Sequence, residues 1–312
     1  MGRWHRNTHL ELMGLGINEA LMLIFAHRNG ASFKRTLTFG RVHNAVFYHK
    51  LAKVLDENGI SSKGLLDKNA VYADEFFKCL GAETLDSLDI TPHEGATVVH
   101  DMNYPVPEEL KGRYDFLYDG GSIEHVFNLP TALKNCMEVL RVGGSLVITT
   151  AANNLFGHGL FQISADLFWT VFHPSNGFEV QIMLLYSISP YGRWYAISNP
   201  EVIRSRVELI SHVPMLIAVH ATKTAEKHVF GEAFPQQSDY SGSWIKEGTY
   251  VKEKPSGLLL AAAGALKDRL PKLARLLSAI NYAFLYYSTQ SILNRKYFKP
   301  IKKTAASFRT TQ

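Results

Sequence analysis

Cysteine is nearly absent from this chain, with two residues in 312, Cys79 and Cys136. Two thiols so far apart in sequence suit neither a disulfide framework nor a cysteine-based zinc site, and a reducing compartment such as the cytoplasm is the simple expectation. Long apolar runs are missing too. No stretch reaches the roughly 18 uninterrupted apolar residues of a membrane-spanning helix. Near the N-terminus only residues 21–26 are continuously apolar. His27-Arg28-Asn29 follows where a secretory leader would carry small cleavage-site residues. No G-x-G-x-x-G run opens a helix after a strand, which sets a dinucleotide-dependent enzyme aside. A metal-ligand spacing and a nucleophile–base–acid set are also lacking.

Acidic residues are scarce at one end. The formal net charge is +5, yet residues 245–312 carry 13 Lys and Arg against 3 Asp and Glu, which leaves the preceding body mildly acidic. Such a tail suits an anionic membrane surface, nucleic acid or an acidic partner. With 46% hydrophobic and 20% charged residues, the chain is globular in composition. It is long enough for one large domain and an appendage.

The most informative stretch is 114–154. Residues 114–118 form an apolar run short enough for a buried strand, closed by Asp119-Gly120-Gly121. A helix is expected next, with Ala132, Leu133, Cys136, Val139 and Leu140 on one face at three- and four-residue steps. Gly143-Gly144 breaks the chain before a β-branched run, 145–150. Strand, crossover helix and strand together make the unit of a parallel sheet.

Further strands are expected at 35–39, 83–88 and 96–100, and later at 178–187 and 213–222. An amphipathic helix at 42–58 follows the first strand. Residues 59–82 read as a helical insertion, and 190–198 as an aromatic loop. The resulting division is a flanking helix over 1–30, an α/β domain over 31–228, a linker or long loop over 229–256 and a basic helical tail over 257–312. Pro271 limits any tail helix to two pieces. Amphipathic basic helices lie on membranes, pack on their own domain or pair in a homodimer, and all three remain open here.

Ile123-Glu124-His125-Val126 after a strand, with Val139-Leu140-Arg141-Val142-Gly143-Gly144 before the next, resembles class I S-adenosylmethionine-dependent methyltransferases. His100-Asp101-Met102-Asn103 and Gly157-His158-Gly159-Leu160-Phe161-Gln162-Ile163-Ser164 are similar to segments of one bacterial group within them. The resemblance implies a Rossmann-like α/β sandwich, its seven-stranded, mostly parallel sheet ending in an antiparallel hairpin. It also implies methyl transfer from S-adenosylmethionine to a small-molecule or saccharide acceptor, most simply at oxygen. That reaction is a direct displacement, which needs positioning and at most one base. Nucleic acid is not the expected acceptor, because Asp119-Gly120-Gly121-Ser122 replaces the Asn/Asp-Pro-Pro-aromatic signature after strand four.

Residue by residue, the resemblance places Gly40 and Arg41 in the cofactor turn, Asp89 on the ribose, and Asp101 and Met102 on the adenine. Asp119 and Gly120 stand at the ligand-binding end of strand four, where the glycines permit close backbone approach, and the resemblance makes Glu124-His125 a structural turn near the methionine end. His158 is the first candidate for general base, with His125 second. Asn154, Gln162, Tyr191 and Trp194 are candidates for the acceptor pocket. Each has a plainer reading: Asp89 and Asp101 as turn residues, the histidines as hydrogen-bonded structural groups, and the aromatics as packing under a loop. The turn Thr38-Phe39-Gly40-Arg41 keeps one glycine where the family has a glycine-rich run. A non-catalytic, methyltransferase-like binding subunit is therefore the alternative.

Overall fold

A computed structural model describes residues 14–189, 192–231, 234–241 and 258–303. In chain order its main elements are α1 (Ile17–Arg28), β1 (Arg35–Phe39), α2 (Tyr48–Glu57), α3 (Asp74–Cys79), β2 (Thr84–Asp89), β3 (Val98–Val99), β4 (Tyr114–Asp119), α4 (Leu129–Glu138), β5 (Leu140–Asn153), α5 (Ala165–Val171), β6 (Phe178–Ser187), β7 (Trp194–Ile197), β8 (Met215–Lys223) and β9 (Phe298–Ile301). Helices Leu258–Leu266 and Pro271–Gln290 precede β9, divided as Pro271 requires.

The strands form one sheet in the order β3-β2-β1-β4-β5-β8-β6-β7-β9. The first five are mutually parallel, and β8 inserts antiparallel between β5 and β6. The parallel half and the hairpin follow the expected order. The sheet has nine strands among the described residues, not seven, because β7 and β9 extend its far edge. β9 escapes a sequence reading because Pro300 sits in its middle, which only an edge strand tolerates. The tail is thus not purely helical.

Alternation of side chains assigns the two faces. On β8, Met215, Ile217, Val219 and Ala221 join one core layer, while Leu216 and Ala218 join the other. The first layer is closed by α4 and α5 through Leu133, Cys136, Phe168 and Val171. The second is closed by α1, α2 and α3 through Leu23, Leu51, Leu55 and Phe77. All six residues of β4 are buried, as befits a central strand covered on both sides. Asp115 on β4 accepts from Arg35 on β1 (2.8 Å) and from Arg141 on β5, tying three adjacent strands at their amino ends.

One correction concerns the antiparallel end of the domain. Trp194 does not form an acceptor wall. It lies on β7 with its side chain fully buried, and its Nε1 donates to Asn18 Oδ1 of α1 at 3.0 Å. Alternation on a strand turned it inward. Tyr186 on β6 likewise donates to Glu19 Oε1 at 2.7 Å, so α1 is fastened to the antiparallel half by two buried polar contacts. Tyr191 lies outside the described residues, as do residues 1–13 of the expected N-terminal helix.

His220 on β8 is buried, and neither ring nitrogen has a hydrogen-bond partner. Burial lowers its pKa from 6.5 to about 4. The unfolded chain binds this proton more readily, so stability is complete above pH 6.5 and falls as the pH drops toward 4. The loss amounts to about 3 kcal/mol for a shift of this size. Urea unfolding across that pH range should show it, and His220→Leu should remove most of it. An unchanged acid profile in that variant would refute the assignment.

Candidate active site

β1 and β4 are neighbours, yet α2 after β1 packs on one face of the sheet and α4 after β4 on the other. This makes the β1/β4 junction the topological switch point, where the carboxyl ends of an open α/β sheet leave a crevice. Gly40 borders it on one side, with φ +64, and Gly120-Gly121 on the other, with φ +105 at Gly121. The Ser122 hydroxyl donates to Phe39 O across the gap at 3.1 Å. Gly14 N donates to Gly120 O at 3.2 Å, so the chain entering α1 passes beside the same junction.

Several expected ligand-binding residues are engaged with the protein itself. Arg41 pairs with Asp74 at 2.6 Å, donates to Glu94 O at 3.1 Å and lies 4.0 Å from the Tyr72 ring centroid. His43 meets Glu94 Oε1 at 3.2 Å. The insertion and the loop after β2 therefore hold the β1 turn. A cavity of about 140 Å³ beside it, lined by Thr38, Arg41, Asp74, Phe77, Ser87 and Thr97, is smaller than small-molecule pockets usually are.

Asp89 stands at the carboxyl end of β2 and accepts the Thr91 N–H at 3.1 Å, while the next residue, Ile90, is 61% exposed. Asp101 accepts both the backbone and side-chain N–H of Asn103, at 2.9 and 2.8 Å. Met102 is buried in the core beside Asn135. Asp119 turns inward rather than toward the crevice. It is fully buried and accepts from Gly121 N (3.2 Å), Ser122 N (2.7 Å) and Ile123 N (3.1 Å).

That turn delivers Glu124 and His125 to the crevice rim, where the loop after β5 brings His158. Glu124 is fully buried, His125 exposed and His158 half-buried. One donor atom of each lies within 4.8 Å of the others, and the two imidazole rings meet edge-on at 5.1 Å. His158 Nε2 sits 3.3 Å from Glu124 Oε1. Burial raises the Glu124 carboxyl, and burial together with the Glu124 charge raises Asp119. The three backbone donors of its own turn offset part of that rise at Asp119. Burial, then the neighbouring His158, lowers His125.

Backbone contacts stitch this loop in place. Leu160 N and Phe161 N both donate to Glu124 O, at 2.8 and 3.2 Å. Gln162 Oε1 accepts from Leu155 N at 2.9 Å, and Asn154, at φ +57, donates to carbonyls of Ser211 and Val213. Gln162 and Asn154 thus brace the loop that carries His158. The sequence reads Glu124 as part of a structural turn and not as a site residue. Its neighbour His125 was legible in the motif, but no spacing rule links either residue to His158.

A Cβ on Gly159 would stand 2.7 Å from Glu124 Cγ, and its φ is +71. Gly159→Ala should therefore displace the loop and cost roughly 1–3 kcal/mol, read as a lower urea midpoint. Unchanged stability would show that the loop does not rest on Glu124.

No protein-family model matches the chain, and no curated protein sequence matches it. Solved structures that it resembles include the trans-methyltransferase CalH in complex with SAH, at 14% identity and TM-score 0.36, over 66% of this chain and 57% of that one. A branched-chain polyamine synthase from Thermus thermophilus is similar at 14% identity and TM-score 0.34, over 68% of this chain and 58% of that one. A SAM-dependent methyltransferase from Thermotoga maritima is similar at 13% identity and TM-score 0.30, over 66% of this chain and 91% of that one. The matched region thus spans under three-fifths of the first two proteins.

Proposed function

We propose that the chain is an S-adenosylmethionine-dependent methyltransferase that methylates a small-molecule or saccharide acceptor, at oxygen. The observation that carries this reading is the β1/β4 switch point, with Gly40 and Gly120-Gly121 facing across it and the acidic residues Asp89 and Asp101 on the strand ends to one side. These residues fit an adenosyl group. Asp89 offers a carboxylate at the end of β2 for the ribose hydroxyls, and Ile90 beside it presents an exposed apolar side chain for the adenine face. At the methionine end Arg41 and Asp119 have partners within the protein, as do Gly40 N and Gly120 O, so contact there would rest on close approach of the glycine backbone. When bound, the cofactor supplies the activated methyl group. The protein orients the acceptor at the rim, beside Glu124, His125 and His158.

The braced β1 turn favours a second reading, a non-catalytic binding subunit. Calorimetric titration with S-adenosylmethionine and S-adenosylhomocysteine separates the two. Micromolar binding of both is expected, weakened by at least about tenfold in Asp89→Ala, since a ribose-bound carboxylate makes charge-assisted hydrogen bonds. No binding at millimolar ligand would leave the binding-subunit reading.

The helix Pro271–Gln290 supports a partner for the tail. Leu273, Leu276, Ile280, Phe284 and Tyr287 recur at three- and four-residue steps and are all more than 40% exposed. Lys267, Arg269, Lys272 and Arg275 are exposed at its beginning and just before it. An apolar stripe flanked by cations suits the surface of an anionic bilayer. Cosedimentation with vesicles rich in phosphatidylserine should be strong, and replacing the four cations by Gln should weaken it at least about tenfold. A chain that stays in the supernatant, or a concentration-dependent dimer with no vesicle binding, would exclude the membrane.

A further inference from the structure

We propose that Glu124, His125 and His158 form a binding site for a divalent first-row transition-metal ion, of the Zn²⁺ class. The three side chains come from two segments distant in sequence, yet one donor atom of each lies within 4.8 Å of the others. Glu124 is completely buried, and although the Thr150 hydroxyl and Ala151 N–H are near enough to favour its charged form, neither carboxylate oxygen has an aligned hydrogen-bond partner. His158 Nε2 is also buried and lacks one, although it stands 3.3 Å from Glu124 Oε1. A buried carboxyl and an imidazole nitrogen that face each other at 3.3 Å without an aligned hydrogen bond are poorly satisfied as a hydrogen-bonded pair. The same placement is the ordinary arrangement of two ligands of one ion: metal–donor bonds of about 2.0–2.2 Å put tetrahedral ligands about 3.4 Å apart. The wider separations close by rotation of the exposed His125 ring.

The donor set selects the ion. Two imidazoles and one carboxylate suit Zn²⁺, Co²⁺, Fe²⁺ or Mn²⁺ better than Mg²⁺ or Ca²⁺, which prefer oxygen throughout. The backbone supports the site: Leu160 and Phe161 N–H groups fix Glu124 O, and Gly159 leaves room for its side chain. Three protein ligands leave at least one position of a four-coordinate ion for water or an exogenous oxygen.

The role of the ion rests on the methyltransferase reading, whereas its binding does not. In that reading the ion would offer its open position to an acceptor hydroxyl or enol and favour loss of the O–H proton to solvent water, and S-adenosylmethionine would supply the methyl group to that oxygen as its sulfonium becomes a neutral thioether. His158 in this arrangement is a ligand and not the general base.

The test uses the full chain, freed of metal with a chelator and then titrated with Co²⁺ in the absence of S-adenosylmethionine. Saturation at a single equivalent with visible d–d absorption is expected, and Zn²⁺ should displace the Co²⁺. His125→Ala and His158→Ala should each weaken binding about a hundredfold or more, and Glu124→Gln should also weaken it, with circular dichroism confirming that each variant is folded. His125 is exposed, so its variant is the one least exposed to a folding defect. Absence of stoichiometric Co²⁺ binding, or binding unchanged in folded His125→Ala and His158→Ala, would overturn the proposal. A parallel titration of the metal-free protein with S-adenosylhomocysteine keeps the two readings apart. Metal binding without nucleoside binding would sustain the site and remove its role in methyl transfer. Nucleoside binding with no Co²⁺ site would do the reverse.

Discussion

A single buried carboxylate organises the candidate site. Asp119 ends a fully buried strand and cannot reach water, so it takes its hydrogen bonds from the next turn of chain, at Gly121, Ser122 and Ile123. Three donors to one charged group make a stiff turn, because each charge-assisted bond is stronger than a neutral one and the loss of any would leave a buried charge short of partners. The turn sets where Gly120 and Gly121 face β1, and it places Glu124 beneath the loop from β5. The crevice and the ligand cluster are consequences of the same constraint.

The parallel half of the sheet was legible in the sequence because it rests on local signals. Residues 35–39, 114–118 and 145–150 are short apolar runs ended by glycine, and the α4 face repeats at helical spacing. The hairpin of β6 and β8 was legible for the same reason. What sequence could not supply was long-range pairing. β7 is four residues long and was read as an aromatic loop, and β9 contains a proline, so their pairing depends on chain segments about a hundred residues apart. Trp194 shows the cost of that gap. Its aromatic neighbours suggested a ligand wall, whereas the register of β7 points it at α1.

The candidate site was legible in part. The motif positions Gly40, Asp89, Asp101, Gly120, His125 and His158 all lie in the segments at or beyond strand carboxyl ends. What each side chain does there is a matter of competition among nearby partners, which no linear pattern encodes. Arg41 meets Asp74 and Tyr72 of the insertion, Asp119 meets its own turn, and Gln162 meets Leu155. Glu124 reads as a turn residue for the opposite reason: its burial beneath Gly159 depends on a loop that begins about thirty residues later.

The sheet's last rung also bears on how the protein is made. Trp194 pairs with Ile301 and Ile197 with Phe298. During synthesis β7 therefore emerges with one ladder open and waits for roughly a hundred further residues before its partner leaves the ribosome. Non-local pairings of this kind close late. Until then the nascent chain presents an unpaired edge carrying Trp194 and Tyr195, the type of surface on which chaperones act and on which incomplete chains associate.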